Sequence, residues 1–154
     1  MVRVHSWWLL DEIPPLRLFA FGPRGAGAGL SGRDAVLHIG PCGQFGQMAR
    51  ETEAALQALF GFIEVPLVVS GHSAGRHLAA RMACADIAVP IKCVVPISPL
   101  RDLTPIAQTQ MKQNLGLSVE DVRQQSPALL PKRSEVEAHI WVGGAERVRL
   151  FMVS

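Results

Sequence analysis

The chain has 154 residues, of which 49% are hydrophobic and 18% charged, which favours one packed domain and excludes a disordered chain. A net charge of +2 without a basic run argues against nucleic acid as a partner, and no apolar run is long enough to span a membrane. Three cysteines without a Cys-x-x-Cys pair argue against a zinc site and a disulfide framework, so we expect no metal and no cofactor. Asp11 and Glu12 interrupt any signal-peptide segment, and a cytoplasmic location is expected.

The first 47 residues carry weak and inconsistent local signals. Strands are predicted over 16–21 and 35–39, on either side of a glycine-rich stretch. Within that stretch, Gly27-Ala28-Gly29-Leu30-Ser31-Gly32 matches the spacing of a dinucleotide-binding loop. Such a loop follows a strand directly and opens a helix, whereas this one follows Pro23-Arg24 and precedes a predicted strand. Nucleotide binding is therefore a rival interpretation with little support, and a plain glycine-rich loop is the simpler one.

The remainder of the chain alternates between the periodicity of helices and that of buried strands. A Ser118 to Asp121 spacing resembles a capping box at the start of one helix, and Ser126-Pro127 ends it. The predicted helices cover 48–60, 74–86 and 119–126, and the predicted strands cover 66–70, 91–97 and 139–143. This alternation predicts an α/β fold with a mainly parallel sheet.

Ser73 stands between two glycines, Gly71 and Gly75, where a predicted strand becomes a predicted helix. This Gly-x-Ser-x-Gly context is typical of a nucleophile elbow, whose sharp turn lifts the serine hydroxyl above the sheet. Residues without side chains are needed two positions away on both sides, and the helix N-terminus favours negative charge. The N–H of Ala74 is the predicted oxyanion donor. The simpler alternative is a serine that caps a helix.

Four segments resemble, in the same order, parts of the kynurenine formamidase (arylformamidase) branch of the α/β-hydrolases. They are VSGHSAGRHLAARMA at 69–83, ISPLRDLTPI at 97–106, LGLSVEDVRQQSPA at 115–128 and IWVGGAE at 140–146. Arg76 departs from the family pattern, which often has glycine there. The resemblance spans about 48–146 and implies a three-layer α/β sandwich with a mainly parallel sheet, here truncated. It also implies hydrolysis of small esters or aryl formamides, such as N-formylkynurenine-type amides, by a serine mechanism without a cofactor.

The resemblance assigns the site residues. Ser73 is the nucleophile, and Glu146 falls where the family has its triad acid. The stretch VRVHSWWLLDE at 2–12 resembles the family's oxyanion loop, with His5 in the histidine position, although Ser6 and Trp7 replace the expected glycines.

The catalytic histidine is missing from its family position. It should follow the acid, and RVRLFMVS after Glu146 contains none. Asp102 and His139 would preserve the order serine, acid, histidine, but we expect His139 at the opposite end of its strand. His72, the variable residue of the elbow, is predicted to be a packing or polar neighbour, and His77 is predicted to lie on a face of the following helix.

We therefore expect residues 1–154 to form a single, partial hydrolase domain that is a weak or inactive catalyst. Residues 13–47 and the tail after Glu146 lack the family pattern, as shifted reading frames or an incomplete gene would produce. A non-catalytic binding or interaction protein of the same fold is the alternative function. Sheet surface left uncovered could be buried against a partner, with a second copy of the chain as one candidate.

Overall fold

The computed structural model describes residues 2–5, 16–23, 30–37, 45–61, 67–71 and 74–144. Its strands are β1 (Val2–His5), β2 (Leu16–Pro23), β3 (Leu30–Leu37), β4 (Leu67–Gly71), β5 (Ile91–Pro96) and β6 (Glu137–Ala138). Its helices are α1 (Phe45–Phe60), α2 (Ala74–Arg81), α3 (Thr104–Ala107), α4 (Met111–Asn114) and α5 (Val119–Gln125), followed by a 3₁₀ turn at Pro127–Leu129. The order of elements is that of a mixed α/β protein, as the sequence predicts.

All six strands belong to one sheet, in the order β3-β2-β1-β4-β5-β6. Strand β1 pairs parallel with β4, β4 with β5 and β5 with β6, whereas β2 pairs antiparallel with both β1 and β3. The three strands predicted in the second half of the chain thus share one sheet. The three-layer sandwich stays a prediction, since the sheet and its helices settle only the mixed α/β class.

The core lies between α1, α2 and the central strands. Strand β4 has the sequence LVVSG and is almost wholly buried, as expected of a central parallel strand. The largest fully buried side chains include Leu56, Leu67, Val69, Leu78, Met82 and Leu103. Helix α1, with 16 residues, is the longest of the described helices. None of these helices combines the length and the apolarity that a bilayer crossing requires.

Helix α2 is shorter than predicted, because it ends at Arg81 rather than at residue 86. Its last turn tightens, with the N–H of Cys84 donating to the Arg81 carbonyl oxygen at 3.1 Å. The chain then leaves the helix to bond with a distant loop. The N–H of Ala85 donates to the carbonyl of Pro131 at 2.8 Å, and the backbones of Cys84 and Lys132 form an isolated antiparallel β-bridge. These tertiary bonds replace the ones that a longer helix would make.

Helix α5 begins with the predicted capping box. Ser118 Oγ accepts a hydrogen bond from the N–H of Asp121 at 3.0 Å, and Asp121 Oδ2 accepts one from the N–H of Ser118 at 3.0 Å. The helix ends at Gln125, one residue before the predicted end. The capping box and the Ser126-Pro127 pair each lie within a few residues of the helix end that they determine. Both ends of α5 can therefore be predicted from the sequence.

The third predicted strand begins earlier than expected. Strand β6 covers Glu137–Ala138, and its pairing with β5 continues through single bonds to Trp141. The N–H of His139 donates to the Val94 carbonyl at 2.9 Å, and that of Trp141 donates to the Pro96 carbonyl at 3.2 Å. The paired segment is therefore 137–141 rather than 139–143.

Candidate functional site

The junction between β4 and α2 is tightly packed. Strand β4 ends at Gly71 and α2 begins at Ala74. A Cβ atom placed on Gly71 would lie 2.0 Å from the carbonyl oxygen of Gly75, much closer than real Cβ atoms approach other atoms. Because that oxygen belongs to the backbone, it cannot move aside as a side chain would. Glycine is therefore required at 71, as the Gly-x-Ser-x-Gly interpretation predicts, while Ser73 and His72 themselves lie outside the described residues.

Several chain segments reach the same edge of the sheet as this junction. Strand β1 is parallel to β4 with Val4 opposite Gly71, and β5 places Pro96 opposite Gly71 on the other side. The carboxyl ends of β1, β4 and β5 thus meet at one edge, where open parallel sheets bind their ligands. His5 is the last residue of β1 and comes directly after Val4, so its backbone lies at the same edge of the sheet. The predicted loop at 2–12 therefore begins as a strand.

The segment that follows β5 contains the one described non-glycine residue with a left-handed backbone. Ser98 has φ 53° and is buried. Its N–H donates to the Trp141 carbonyl at 2.6 Å, which ties this edge to the segment after β6. A non-glycine residue in this conformation costs about 1 kcal/mol and is held there by its surroundings.

His77 lies on α2, as predicted, and its side chain is buried in the core. Its Nδ1 lies 2.9 Å from the Leu100 carbonyl oxygen, and its ring meets the ring of Phe45 edge-on at 5.0 Å. The Nε2 atom is buried and has no hydrogen-bond partner among the residues that the structure describes. Burial lowers the pKa of His77 from 6.5 to about 4, and the charges of Arg81 and Arg76 add to this shift, so the ring is neutral at pH 7.

His139 and Asp102 have different partners in the described part of the chain. His139 Nε2 lies 3.5 Å from Glu137 Oε2, and more than half of the His139 side chain is exposed. Asp102 Oδ1 accepts a hydrogen bond from the N–H of Thr104 at 2.8 Å, at the start of α3. The structure therefore provides no pairing of Asp102 with His139. Glu146 lies outside the described residues.

A buried arginine fastens the end of α2 to the turn that follows. Arg81 forms a two-bond ion pair with Asp86, and its Nε donates to Gln125 Oε1 at 3.2 Å. The hydrogen bond with Arg81 lowers the pKa of Asp86. Burial opposes the charge of Arg81, but the bond and charge of Asp86 outweigh burial and raise its pKa. This cluster is structural, because it holds α2, α5 and the intervening turn together.

The sequence interpretation missed two further features. A cleft of about 230 Å³ with mainly apolar walls lies between α2 and strands β5 and β6, and its lining includes Ala80, Ala83, Val94, Pro96, Ala138 and Ile140. On the opposite face of the same strands, three potential metal ligands from distant positions come together: Cys93, Glu137 and His139. Neither feature has a local sequence signal, because each depends on how β5 and β6 pair.

No family model matches the chain. The structure is similar to the crystal structure of a putative thioesterase from Silicibacter sp. TM1040, with a TM-score of 0.64 and 36% sequence identity. The match covers 70% of this chain and 43% of that protein, so the chain spans less than half the length of this neighbour. The similarity supports the mixed α/β architecture. It does not confirm the kynurenine formamidase branch.

Proposed function

We propose that the chain is part of an acyl hydrolase in which Ser73 is the nucleophile. The observation that carries the proposal is the contact of Gly71 with Gly75, which brings the end of β4 against the start of α2. In the Gly-x-Ser-x-Gly pattern of α/β-hydrolases, the serine belongs to the turn between a strand and a helix, at the edge of the sheet where ligands bind. A neighbour that is 36% identical and named as a thioesterase supports the same class of reaction.

The proposed reaction is acyl transfer through a covalent intermediate. Ser73 Oγ attacks the carbonyl carbon of the substrate, and the N–H of Ala74 donates to the oxyanion that forms. The intermediate collapses as the leaving group departs with a proton, and water then releases the acyl group from Ser73. The proposed role of Glu146 is to orient and stabilise an imidazole that carries the proton in both steps. His5, at the same sheet edge, is the proposed remnant of the second oxyanion loop.

The substrates we propose are small acyl compounds. They are esters in general, with thioesters and aryl formamides as two more specific alternatives. The name of the neighbour favours thioesters, and the resemblance of the four sequence segments favours aryl formamides. The chemistry at Ser73 is the same for all three, because each presents an acyl carbon with a leaving group. Comparison of kcat/KM for p-nitrophenyl acetate, a short acyl thioester and N-formylkynurenine would separate these alternatives.

Both imidazoles that the structure describes already have other partners. His77 is buried against Leu100 and Phe45, and His139 lies beside Glu137. A general base must be within about 2.6–3.2 Å of the proton it removes. Loss of one triad member leaves a residual rate of roughly 10³–10⁴ over water, so we expect weak catalysis by these 154 residues.

A fluorophosphonate probe tests the proposal, because it labels activated serines. We expect slow labelling of the full chain that disappears in Ser73→Ala and persists in the matched variant Ser134→Ala, whose serine is exposed. Peptide mapping should locate the adduct at Ser73. Labelling that is equally strong in Ser73→Ala would refute the role of Ser73.

The second candidate is a non-catalytic binding protein of the same fold. Three consecutive apolar residues beside the sheet edge favour this function because their side chains are exposed. They are Ile140 (43% exposed), Trp141 (64%) and Val142 (50%). Exposed apolar patches of this kind often mark interaction surfaces. Absence of labelling, together with self-association that Trp141→Ser abolishes in light scattering, would select this function instead.

A further inference from the structure

We propose that Cys93, Glu137 and His139 form a binding site for one Zn²⁺ ion on the outer part of the sheet. One sulfur, one carboxylate oxygen and one imidazole nitrogen from these residues all lie within 4.8 Å of one another. Thiolate, imidazole and carboxylate are the ligands that proteins use for zinc. No local motif announces this site, since Cys93 belongs to β5 and the other two residues to the segment at β6.

The backbone pairing places the three side chains on one face. Cys93 is the direct register partner of Glu137 in the parallel pair of β5 and β6. His139 is two residues beyond Glu137, and side chains two apart on a strand point to the same side. The bond from the N–H of His139 to the Val94 carbonyl, at 2.9 Å, extends the pairing past the end of β6. Main-chain hydrogen bonds thus fix the backbone positions of the three ligand residues before any ion binds.

The donor atoms are close to the separations that zinc requires. Bond lengths of 2.0–2.3 Å in a tetrahedron place two ligand atoms about 3.5 Å apart. His139 Nε2 and Glu137 Oε2 are already 3.5 Å apart. Both of these side chains are more than half exposed, so small rotations can bring them to the sulfur of Cys93, which is largely buried.

Glu137 has one oxygen for the metal and one for a neighbouring cation. Its Oε1 lies 3.3 Å from Lys92 Nζ, whereas Oε2 faces His139. Lys92 can therefore keep Oε1 while Oε2 binds the ion, as outer partners of metal ligands commonly do. The hydrogen bonds from Lys92 and His139 also lower the pKa of Glu137, so its carboxylate is charged at neutral pH.

The ligand set selects the class of ion. A thiolate with an imidazole favours zinc and similar transition metals over Ca²⁺ and Mg²⁺, which prefer oxygen. Zinc binds the thiolate form of cysteine, so the ion displaces the proton of the Cys93 thiol. Binding should therefore release a proton and strengthen as the pH rises. The exposed side leaves the fourth position to water.

The site is separate from the proposed nucleophile. Cys93 lies opposite Val68, whereas the junction begins at Gly71, three residues further along β4 or about 10 Å away. Because β6 has only two residues, an ion that joins it to β5 would fasten a weakly held edge strand. The expected consequence is stabilisation of the fold by zinc rather than participation in acyl transfer.

Calorimetric titration of the full, metal-free chain with ZnCl₂ tests the site, and Co²⁺ absorption reports on its ligands. We expect one equivalent to bind, with a sulfur-to-cobalt charge-transfer band that is lost in Cys93→Ser and kept in the thiol control Cys84→Ser. His139→Gln and Glu137→Gln should each weaken zinc binding at least about tenfold. The matched variant Glu120→Gln, an exposed acid on α5, should bind like the wild type.

The two exposed variants keep the test decisive if Cys93→Ser fails to fold. Failure of the wild-type chain to bind zinc would overturn the proposal. So would binding that His139→Gln and Glu137→Gln leave unchanged, because the metal would then be held by other groups. A band that persists in Cys93→Ser would point to a different cysteine and has the same consequence.

Discussion

The buried imidazole of His77 should make the fold sensitive to mild acid. Its pKa is about 4 in the folded chain, against 6.5 for an unburied histidine. The unfolded state therefore binds the proton more tightly, and the stability of the fold decreases as the pH falls below 6.5 and levels off below 4. The contribution of neutral His77 is fully present above pH 6.5. Protonation would place a charge at Nε2, which is buried and has no partner in the described part of the chain.

The expected size of this effect follows from the two pKa values. Between pH 7.5 and pH 5 the linkage relation gives a loss of about 2 kcal/mol in the free energy of unfolding, and about 3 kcal/mol once the pH is below 4. The His77 side chain is buried, so solvent does not screen its charge. Asp86 has a lowered pKa and loses its contribution only at more acidic pH.

The matched variant is His77→Asn, whose amide nitrogen can replace Nδ1 as the donor to the Leu100 carbonyl but does not titrate. Urea unfolding followed by circular dichroism, in the presence of EDTA, would give the free energy of unfolding at pH 7.5, 6.5, 5.5 and 5. We expect the wild type to lose about 2 kcal/mol more than His77→Asn over this range. His139→Gln, which removes an exposed imidazole, should follow the wild type. Equal pH dependence of wild type and His77→Asn would refute the argument.

Two further predictions concern residues whose local role is clear. Gly71→Ala should lower the free energy of unfolding by more than about 3 kcal/mol or prevent folding, because the new methyl group overlaps the Gly75 carbonyl. The control is Gly144→Ala, whose new methyl group would have no atom within 4 Å. An unchanged free energy of unfolding in Gly71→Ala would contradict the packing at this junction. Ser118→Ala should lower the free energy of unfolding by about 1 kcal/mol through loss of the cap, whereas Ser134→Ala should have no measurable effect in the same urea titration; equal values for the two would argue against the capping box.

The features that the sequence predicts correctly depend on nearby residues. The periodicity of α1, the buried run of β4 and the capping box of α5 each involve interactions within a few positions. The strands of the first half were also located, at 16–23 and 30–37 rather than 16–21 and 35–39. Their pairing partners, however, could not be predicted, because register in a sheet is set between segments that are distant in sequence.

The sequence-based predictions differ from the structure where an element depends on contacts between residues that are distant in sequence. The end of α2 is set by bonds from Cys84 and Ala85 to residues near Pro131, and no signal in the helix itself shows them. The strand at 2–5 was interpreted as part of a loop, since four residues carry too short a pattern to reveal a central strand. The expectation of no metal site stays a prediction; it rested on Cys-x-x-Cys spacing, whereas the site proposed above depends on the pairing of β5 with β6.

The same distinction between local and distant determinants separates the proposed nucleophile from the rest of a catalytic triad. The requirement for glycine at 71 arises from Gly75, four positions away, so a short stretch of chain contains all of its causes. A triad is different, because the acid and the imidazole come from loops after other strands and meet the serine only when the sheet is assembled. In the described residues, Asp102 binds the start of α3 and His139 pairs with Glu137, so the sequence order of serine, acid and histidine alone did not identify a working set. Reactivity at Ser73 therefore depends on groups whose positions local sequence patterns cannot fix, and the rate of serine labelling is the measurement that reports on them.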